Sequence, residues 1–344
     1  MNKFLNSKLI IALAIAGLVG VSAFAAPAEL PAYGADPNQT SVSGFSSGAF
    51  MAVQLQVAYS RSIVGAGVVA GGPYYCAANK MAFAGICMGQ VPFVPPNPFL
   101  MVNAAKAFDS ARRIDPLNNL SKRRVYVFSG TDDSIVRPPA VDATVSFFQQ
   151  VGVKADNLIY VNNMPAGHAV ITPTYGNGCS ANAAPYISHC SVGVEGYDQA
   201  GAMLRHIYGA LNSRVVTPTG QIVSFNQRAY AAPAAGMADA GYLYVPQSCT
   251  AAAARCKVHV AIHGCLQAAE SVGDKFYTDT GYNNWADSNK ILVLYPQVNK
   301  SARKPFNPQG CWDWWGYTGQ NYADKASPQM KAIEAMVDRL TQQP

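Results

Sequence analysis

The spacing of apolar and polar positions predicts strands and helices that alternate along the chain. Residues 39–43 alternate as in a short strand, and the apolar run at 48–60 has the length of a buried helix. The apolar runs at 62–70, 124–129 and 157–162 are typical of parallel strands that are buried on both faces. Because such strands need helices on both sides of the sheet, the pattern predicts an α/β fold with a mostly parallel central sheet.

The second half of the chain continues this pattern. Strands are predicted at residues 242–246, 258–262 and 291–296, and helices at 197–211 and 327–340. Residues 215–236 are rich in Pro, Ala, Gly and Ser and are interpreted as a long connection. No internal sequence repeat is visible, so we expect residues 26–344 to form a single domain.

Residues 1–25 have the three parts of a secretory signal peptide. Lys3 and Lys8 precede an apolar run at 9–21, and small residues at 23 and 25 form a cleavage site. We expect cleavage after Ala25 and secretion of the remaining chain. No later apolar stretch is long enough to predict an integral membrane segment.

The charge distribution gives little support for a nucleic-acid partner. The formal net charge is +6, and basic residues cluster only at 122–124, in front of a predicted strand. Only 13% of the residues are charged, whereas the chain contains 18 Tyr and 14 Phe. This composition suits an apolar or insoluble substrate.

A Gly-x-Ser-x-Gly motif at residues 44–48 contains a candidate nucleophile. It lies between the first predicted strand and the first predicted helix, which is the position of the nucleophile elbow in serine esterases. The glycines at both ends are required because a Cβ there would collide with neighbouring backbone. Ser46 is therefore the predicted nucleophile, and the alternative is an ordinary glycine-containing turn.

A general base and an orienting acid follow in the order that α/β-hydrolases use. Asp132 and Asp133 come after the strand predicted at 124–129, and His168 comes after the next one. We favour Asp133 because it lies further past its strand and can turn back towards the histidine, while Asp132 remains the alternative. The other candidates lie in a cysteine-bounded loop, a helix or a strand, so we expect structural roles for His189, His206 and His259.

A second loop has the composition of an oxyanion-binding segment. Ser47, next to the nucleophile, supplies one backbone N–H, and His263-Gly264 follows a predicted strand as in the HG loops of esterases. This loop comes after the elbow in the chain instead of before it. Joining the two ends of the mature chain would restore the usual order, which indicates a circular permutation. The alternative interpretation of the loop is a common turn.

The eight cysteines form an even set in a chain with a predicted export signal. Eight cysteines allow about 105 pairings, but the spacing favours three local pairs and one long-range pair. The favoured disulfides are Cys76–Cys87, Cys179–Cys190, Cys249–Cys256 and Cys265–Cys311. A metal site is the weaker alternative, because no C-x₂-C spacing or adjacent histidine cluster is present.

Three tryptophans lie close together at residues 312, 314 and 315. One interpretation is an aromatic wall beside the oxyanion loop that contacts an apolar acyl chain. The other is packing in the core with the indole N–H groups satisfied.

Several longer strings resemble the secreted, single-domain, circularly permuted poly(3-hydroxybutyrate) depolymerases. The matching strings are residues 43–48, 70–74, 185–190, 241–249, 263–267 and 310–314. The resemblance implies a triad of Ser46, Asp133 and His168, and an oxyanion hole made by the amides of Ser47 and Cys265. It further implies that Trp314 contacts the substrate and that the four disulfides pair as given above. At residues 49–50, Ala-Phe replaces the Gly-Tyr of the family.

The predicted function is hydrolysis of poly(3-hydroxybutyrate) or its oligomers through an acyl-enzyme, with no metal or cofactor. A polyester or oligoester is the expected partner, and the sequence leaves the oligomeric state open. One rival is a feruloyl or acetyl esterase of plant polysaccharide on the same scaffold. The other is a polymer- or surface-binding protein with an idle triad.

Overall fold

The computed structural model describes residues 28–193, 195–251 and 254–344. The predicted signal peptide, residues 1–25, lies outside these described residues. Within them, no helix is both long enough and apolar enough to cross a membrane.

The described residues form eleven strands in two sheets. In chain order the strands are β1 Thr40–Phe45, β2 Ile63–Val69, β3 Arg124–Gly130, β4 Leu158–Met164, β5 Val170–Thr172, β6 Asn177–Gly178, β7 Ile187–His189, β8 Gln221–Asn226, β9 Ala240–Val245, β10 Lys257–Ile262 and β11 Ile291–Tyr295. Strands β5 to β7 form a small separate sheet, and the other eight form the central sheet.

Nine α-helices lie in the described residues. They are α1 Ser47–Ala58, α2 Ala84–Cys87, α3 Pro98–Ser110, α4 Pro138–Gln150, α5 Gln199–Tyr208, α6 Ala269–Val272, α7 Lys275–Asp279, α8 Tyr282–Asn289 and α9 Pro328–Thr341. All twelve residues of α1 are buried, including Gln54 and Gln56, which interrupt the apolar run that predicted this helix.

The central sheet has the order β4-β3-β2-β1-β10-β11-β9-β8, and only the pairs that involve β9 are antiparallel. Strand β1 therefore lies between the strands of the two halves of the chain, paired with β2 on one side and β10 on the other. If the chain is read from β8 to β11 and then from β1 to β4, the sheet order becomes 1-2-4-3-5-6-7-8. This is the α/β-hydrolase fold in circularly permuted form, as predicted.

The two ends of the described chain meet, as a permutation requires. The amides of Tyr33 and Ala35 donate to the carbonyl of Leu340 at 3.2 and 3.0 Å. The Arg339 side chain donates to the carbonyl of Leu30 at 3.0 Å. Helix α9 is thus hydrogen-bonded to the segment that leads into β1.

Two expectations about strands were wrong in detail. The run at 157–162 was expected to be buried on both faces, but β4 is the edge strand of the central sheet and most of its residues are only partly buried or exposed. The segment interpreted as a long connection contains β8, which pairs with β9 along its whole length. Both strands lie at an edge of the sheet, where a strand has a neighbour on one side only and is less buried.

Candidate active site

The turn between β1 and α1 has the strained geometry of a nucleophile elbow. Ser46 has φ 56° and ψ −122°, a conformation that costs a non-glycine residue about 1–3 kcal/mol. A Cβ on Gly44 would collide with the carbonyl of Gly48, and one on Gly48 with the carbonyls that follow β10. The glycines thus allow helix, strand and β10 to approach closely, and Ser46 is held at the carboxyl edge of the sheet.

Asp133 and His168 are joined by a hydrogen bond. His168 Nδ1 lies 2.8 Å from Asp133 Oδ2, and both side chains are almost completely buried. The second carboxylate oxygen, Oδ1, accepts from the amides of Ile135 and Val136, both at 2.9 Å. The carboxylate is therefore fixed in orientation by its own loop and aligned on the imidazole.

The neighbouring aspartate has no such contact. Asp132 is exposed, and its carboxylate accepts only the hydroxyl of Thr131, at 3.4 Å. Its backbone amide donates to the carbonyl of Ala166 at 3.1 Å, which ties the acid loop to the histidine loop. Of the two aspartates that the sequence left open, Asp133 is the one in contact with His168.

Ser46 and His168 line one cavity of about 240 Å³. The other residues around it are Ser47, Phe50, Met88, Ile135, Val136, Tyr186, Cys265, Leu266, Gln309 and Trp314. Within the described residues, the hydrogen bonds of His168 go to Asp133 and Asn182 and none goes to Ser46. The hydrogen bond between a catalytic serine and its histidine is often long or poorly aligned in the absence of substrate.

Two backbone amides at this cavity are free to bind an anion. The N–H groups of Ser47 and Cys265 donate to no other described residue, and both residues line the cavity. The disulfide Cys265–Cys311 and a hydrogen bond from the amide of Trp312 to Ser47 Oγ, at 3.2 Å, hold the two loops together. Free amides at a cavity that contains a serine can stabilise a tetrahedral oxyanion.

Asn182 was missed by the sequence analysis and connects the acid loop to the histidine loop. Its Oδ1 accepts from the amides of Ser134 and His168 at 3.0 and 2.9 Å. Its Nδ2 donates to the carbonyl of Asp132 at 3.1 Å. Only the position of Asn182 between Cys179 and Cys190 could have drawn attention to it.

Gln267 has a similar connecting role on the opposite side of the cavity. Its Oε1 accepts from the amide of Gly264 at 2.8 Å, and its Nε2 donates to the carbonyls of Pro185 and Tyr186 at 3.0 and 3.1 Å. This side chain thus positions the loop that carries Cys265. It belongs to a string that carried the family resemblance, although no role was assigned to it.

The tryptophans of the cluster differ in position: Trp312 lies in the core and Trp314 borders the cavity. Trp312 is completely buried. Trp314 is also buried, at 6% exposure, but it lines the cavity and stacks on Phe50 with ring centroids 4.4 Å apart. The Asp313 carboxylate accepts four backbone amides from the turn that follows, and burial nevertheless raises its pKa. Of the three tryptophans, Trp314 is the one that lines this cavity, and it is followed by a turn built around the Asp313 carboxylate.

None of the other four histidines lines the cavity. His259 is hydrogen-bonded to Ser41 and Ser43 at 2.7 and 2.8 Å, and all three are buried within the sheet. Burial lowers the pKa of His259 to about 3 and that of His263 to about 4. The Ser–His contacts of His259 therefore stabilise the sheet and do not face the Ser46 cavity.

All eight cysteines are paired, and the bonds are Cys76–Cys87, Cys179–Cys190, Cys249–Cys256 and Cys265–Cys311. These are the pairs that the spacing favoured. In the part of the chain that the structure describes, no group of three or more His, Cys, Asp or Glu side chains is placed to hold a metal ion.

The fold and the serine at its elbow place the chain among the α/β-hydrolases. Two curated relatives cover almost all of it. A poly(3-hydroxybutyrate) depolymerase of Delftia acidovorans is 46% identical over 94% of this chain, and this chain spans 64% of the length of that protein. A polyhydroxybutyrate depolymerase of Talaromyces funiculosus is 40% identical, and the match covers 95% of this chain and 96% of the relative. The chain belongs to the polyhydroxybutyrate depolymerase family, which confirms the predicted resemblance.

Solved structures agree with this relationship. The crystal structure of a PHB depolymerase from Penicillium funiculosum matches with a TM-score of 0.83 and 39% identity, over 91% of this chain and 98% of that chain. A serine-to-alanine PHB depolymerase complexed with an R3HB trimer matches equally well. No protein-family model matches the chain.

Proposed function

We propose that the protein is a secreted serine esterase that hydrolyses poly(3-hydroxybutyrate) or its oligomers. The observation that carries the proposal is a single cavity that combines Ser46, the His168–Asp133 pair and the free amides of Ser47 and Cys265. These are the parts that acyl transfer from an ester requires. The family relationship supplies the substrate class.

In the proposed reaction, His168 Nε2 takes the proton of Ser46 Oγ as the oxygen attacks an ester carbonyl. The oxyanion accepts hydrogen bonds from the amides of Ser47 and Cys265. His168 then gives the proton to the departing alkoxide of the next hydroxyacid unit, leaving an acyl-enzyme on Ser46. Water, deprotonated by His168, then attacks this ester. His168 returns the proton to Ser46 Oγ as the bond to the acyl group breaks and the acid leaves, while Asp133 keeps the imidazole in the required tautomer.

The apolar, uncharged lining of the cavity supports an uncharged polyester as the substrate. Phe50, Met88, Val136 and Trp314 surround the serine with apolar surface, and the cavity of about 240 Å³ accepts a short segment of chain. The described lining contains no Lys, Arg, Asp or Glu, so a neutral ester fits better than a charged one. We propose that residues 26–344 act as one catalytic domain.

Secretion is supported by the pairing of every cysteine, which is typical of proteins that fold in an oxidising compartment. The predicted leader at residues 1–25 adds to this argument. Amino-terminal sequencing of the protein recovered from culture medium and from periplasm tests both the cleavage site and the compartment.

The experiment that tests the function is hydrolysis of the (R)-3-hydroxybutyrate trimer, followed by chromatography of the released acids. Ser46→Ala should lose about 10⁶ in kcat with an unchanged melting temperature. Ser134→Ala, a change at an exposed serine nearby, is the matched control and should retain full activity. Residual trimer hydrolysis in Ser46→Ala above about a thousandth of wild type would remove the nucleophile assignment.

Parallel assays separate the rival functions. Feruloyl esters and acetylated xylan are the substrates of the rival polysaccharide esterase. If the proposal holds, the protein should cleave them far less efficiently than the trimer. Failure to cleave even a p-nitrophenyl ester would instead indicate a binding protein.

A further inference from the structure

The tyrosine at position 186 lines the catalytic cavity but has no part in the proposed reaction. In that reaction Ser46 and His168 carry out the acyl transfer, and the amides of Ser47 and Cys265 bind the oxyanion. Within the described residues, Tyr186 forms hydrogen bonds through its backbone, and its hydroxyl has no partner. The hydroxyl is therefore available to a bound molecule.

The backbone of Tyr186 has a conformation that is unfavourable for an aromatic residue. Its φ is 58°, in the left-handed region that glycine adopts more readily. Three hydrogen bonds hold it there: the Tyr186 amide donates to the carbonyl of Ala183 at 2.9 Å, and its carbonyl accepts from the amide of Val170 at 2.9 Å and from Gln267 Nε2 at 3.1 Å. Strained residues that their surroundings fix in this way cluster at ligand-binding and active sites.

The ring of Tyr186 lies beside the imidazole of His168. The two ring centroids are 6.1 Å apart with an interplanar angle of 78°, and the Phe45 ring lies 4.5 Å from that of His168. In the proposed reaction His168 gives its proton to the departing alkoxide, so the leaving hydroxyacid unit lies against His168. Tyr186 is therefore on the side of the cavity that holds the leaving unit.

The chemistry of a polyester determines what a tyrosine hydroxyl can do there. Inside the chain each unit carries a carbonyl oxygen that accepts hydrogen bonds, and no unit carries a donor. A phenol O–H supplies the donor that such a chain lacks. In a 3-hydroxybutyrate unit, only two carbon atoms separate the departing oxygen from the next carbonyl group. That carbonyl is thus close to His168, and to Tyr186 beside it, when the scissile ester is in place.

We infer that Tyr186 is a substrate-binding residue whose hydroxyl donates a hydrogen bond to the carbonyl of the leaving hydroxyacid unit. The inference rests on the proposed function, because it names a contact that the same site makes with its substrate. Such a contact favours esters whose alcohol half carries a carbonyl of its own, as in a polyester, over simple alkyl esters.

The test compares Tyr186→Phe with wild type on two esters of (R)-3-hydroxybutyric acid. In the first, the alcohol half is methyl (R)-3-hydroxybutyrate. In the second it is (R)-2-hexanol, which has the same chain length and no carbonyl. Tyr175→Phe is the matched control, since it removes a hydroxyl from an exposed tyrosine outside the cavity. The released alcohols are measured by gas chromatography, and the melting temperature checks that each variant is folded.

We expect Tyr186→Phe to lower kcat/KM about tenfold on the first ester and to stay within about twofold of wild type on the second. One hydrogen bond to the substrate is lost, whereas the packing of the ring against His168 is kept. Tyr175→Phe should match wild type on both esters. An equal loss on the two esters would overturn the inference, because the hydroxyl would then act on the triad and not on the leaving unit. Unchanged activity on both would overturn it as well.

Binding without catalysis separates this inference from the proposed function. The first ester is titrated calorimetrically into Ser46→Ala and into Ser46→Ala/Tyr186→Phe. We expect the double variant to bind it about tenfold more weakly, and equal affinities would overturn the inference. If wild type cleaves neither ester while the affinity still depends on the hydroxyl, the contact is confirmed and the proposed function alone fails.

Discussion

Replacing Asp133 by asparagine removes one charge from the site and changes almost no volume. The wild-type carboxylate accepts three hydrogen bonds, from His168 Nδ1 at 2.8 Å and from the amides of Ile135 and Val136 at 2.9 Å. An asparagine at this position has one oxygen and one NH₂ group to meet three donors. Its orientation therefore decides the outcome.

Two backbone amides compete with one imidazole for the single amide oxygen. Turning the NH₂ group towards the loop would leave two N–H donors unsatisfied in a buried place, at about 1–3 kcal/mol each. We therefore expect the oxygen to stay on Ile135 and Val136 and the NH₂ group to face His168. The imidazole then carries its proton on Nε2 and cannot take the proton of Ser46. A triad with the wrong tautomer loses about 10⁴ in kcat, which corresponds to about 5.5 kcal/mol.

The assay is kcat for a soluble p-nitrophenyl ester, with the melting temperature as the control for folding. Asp132→Asn is the matched variant, since it makes the same chemical change one residue away on an exposed side chain. We expect it to stay within about twofold of wild type, because it touches no catalytic group. Comparable losses in both variants, or a loss confined to Asp132→Asn, would refute the assignment of the acid.

Three further predictions concern residues that line the site or hold its loops in position. Trp314→Ala should raise KM for the trimer about tenfold and affect a short ester less; an equal loss on both substrates with a large drop in melting temperature would make it a core residue. Asn182→Ala should lower kcat about tenfold with little change in KM, since His168 loses a positioning contact; a changed KM alone would contradict this. Removing the disulfide by Cys265→Ala/Cys311→Ala should abolish activity below the temperature of global unfolding seen by circular dichroism, and coincident midpoints would contradict it.

The elements recovered from the sequence are those whose signal is local. Strands β2 and β11 are apolar runs, β1 was predicted from its alternation, and the elbow needs glycine for steric reasons that operate within five residues. Helices α3, α4 and α8 and strand β8 were not predicted. In β8, only one residue is fully buried, so apolar positions are few and the strand depends on its pairing with β9.

The three proposed catalytic residues could be located from the sequence, whereas most of the side chains that hold them in place could not. Ser46, Asp133 and His168 follow strands in an order that the α/β-hydrolase fold imposes. Asn182 is one polar residue in a loop, and its contacts with Ser134 and His168 depend on how that loop folds back over both. No spacing rule connects residues that are brought together only by tertiary structure.

The permutation explains why so many contacts cross the middle of the sheet. Ser46 directly follows β1. On the β2 side of β1, strands β3 and β4 lead to Asp133 and His168, and on its other side β10 leads to Cys265. The oxyanion loop and the triad are therefore far apart in the chain, and their relative position depends on non-local contacts. The pairing of β1 with β10, the Cys265–Cys311 bond and the hydrogen bonds of Gln267 supply them. Because the proposed mechanism needs the amides of Ser47 and Cys265 within hydrogen-bond distance of the attacked carbonyl, we expect activity to depend on the geometry of this junction.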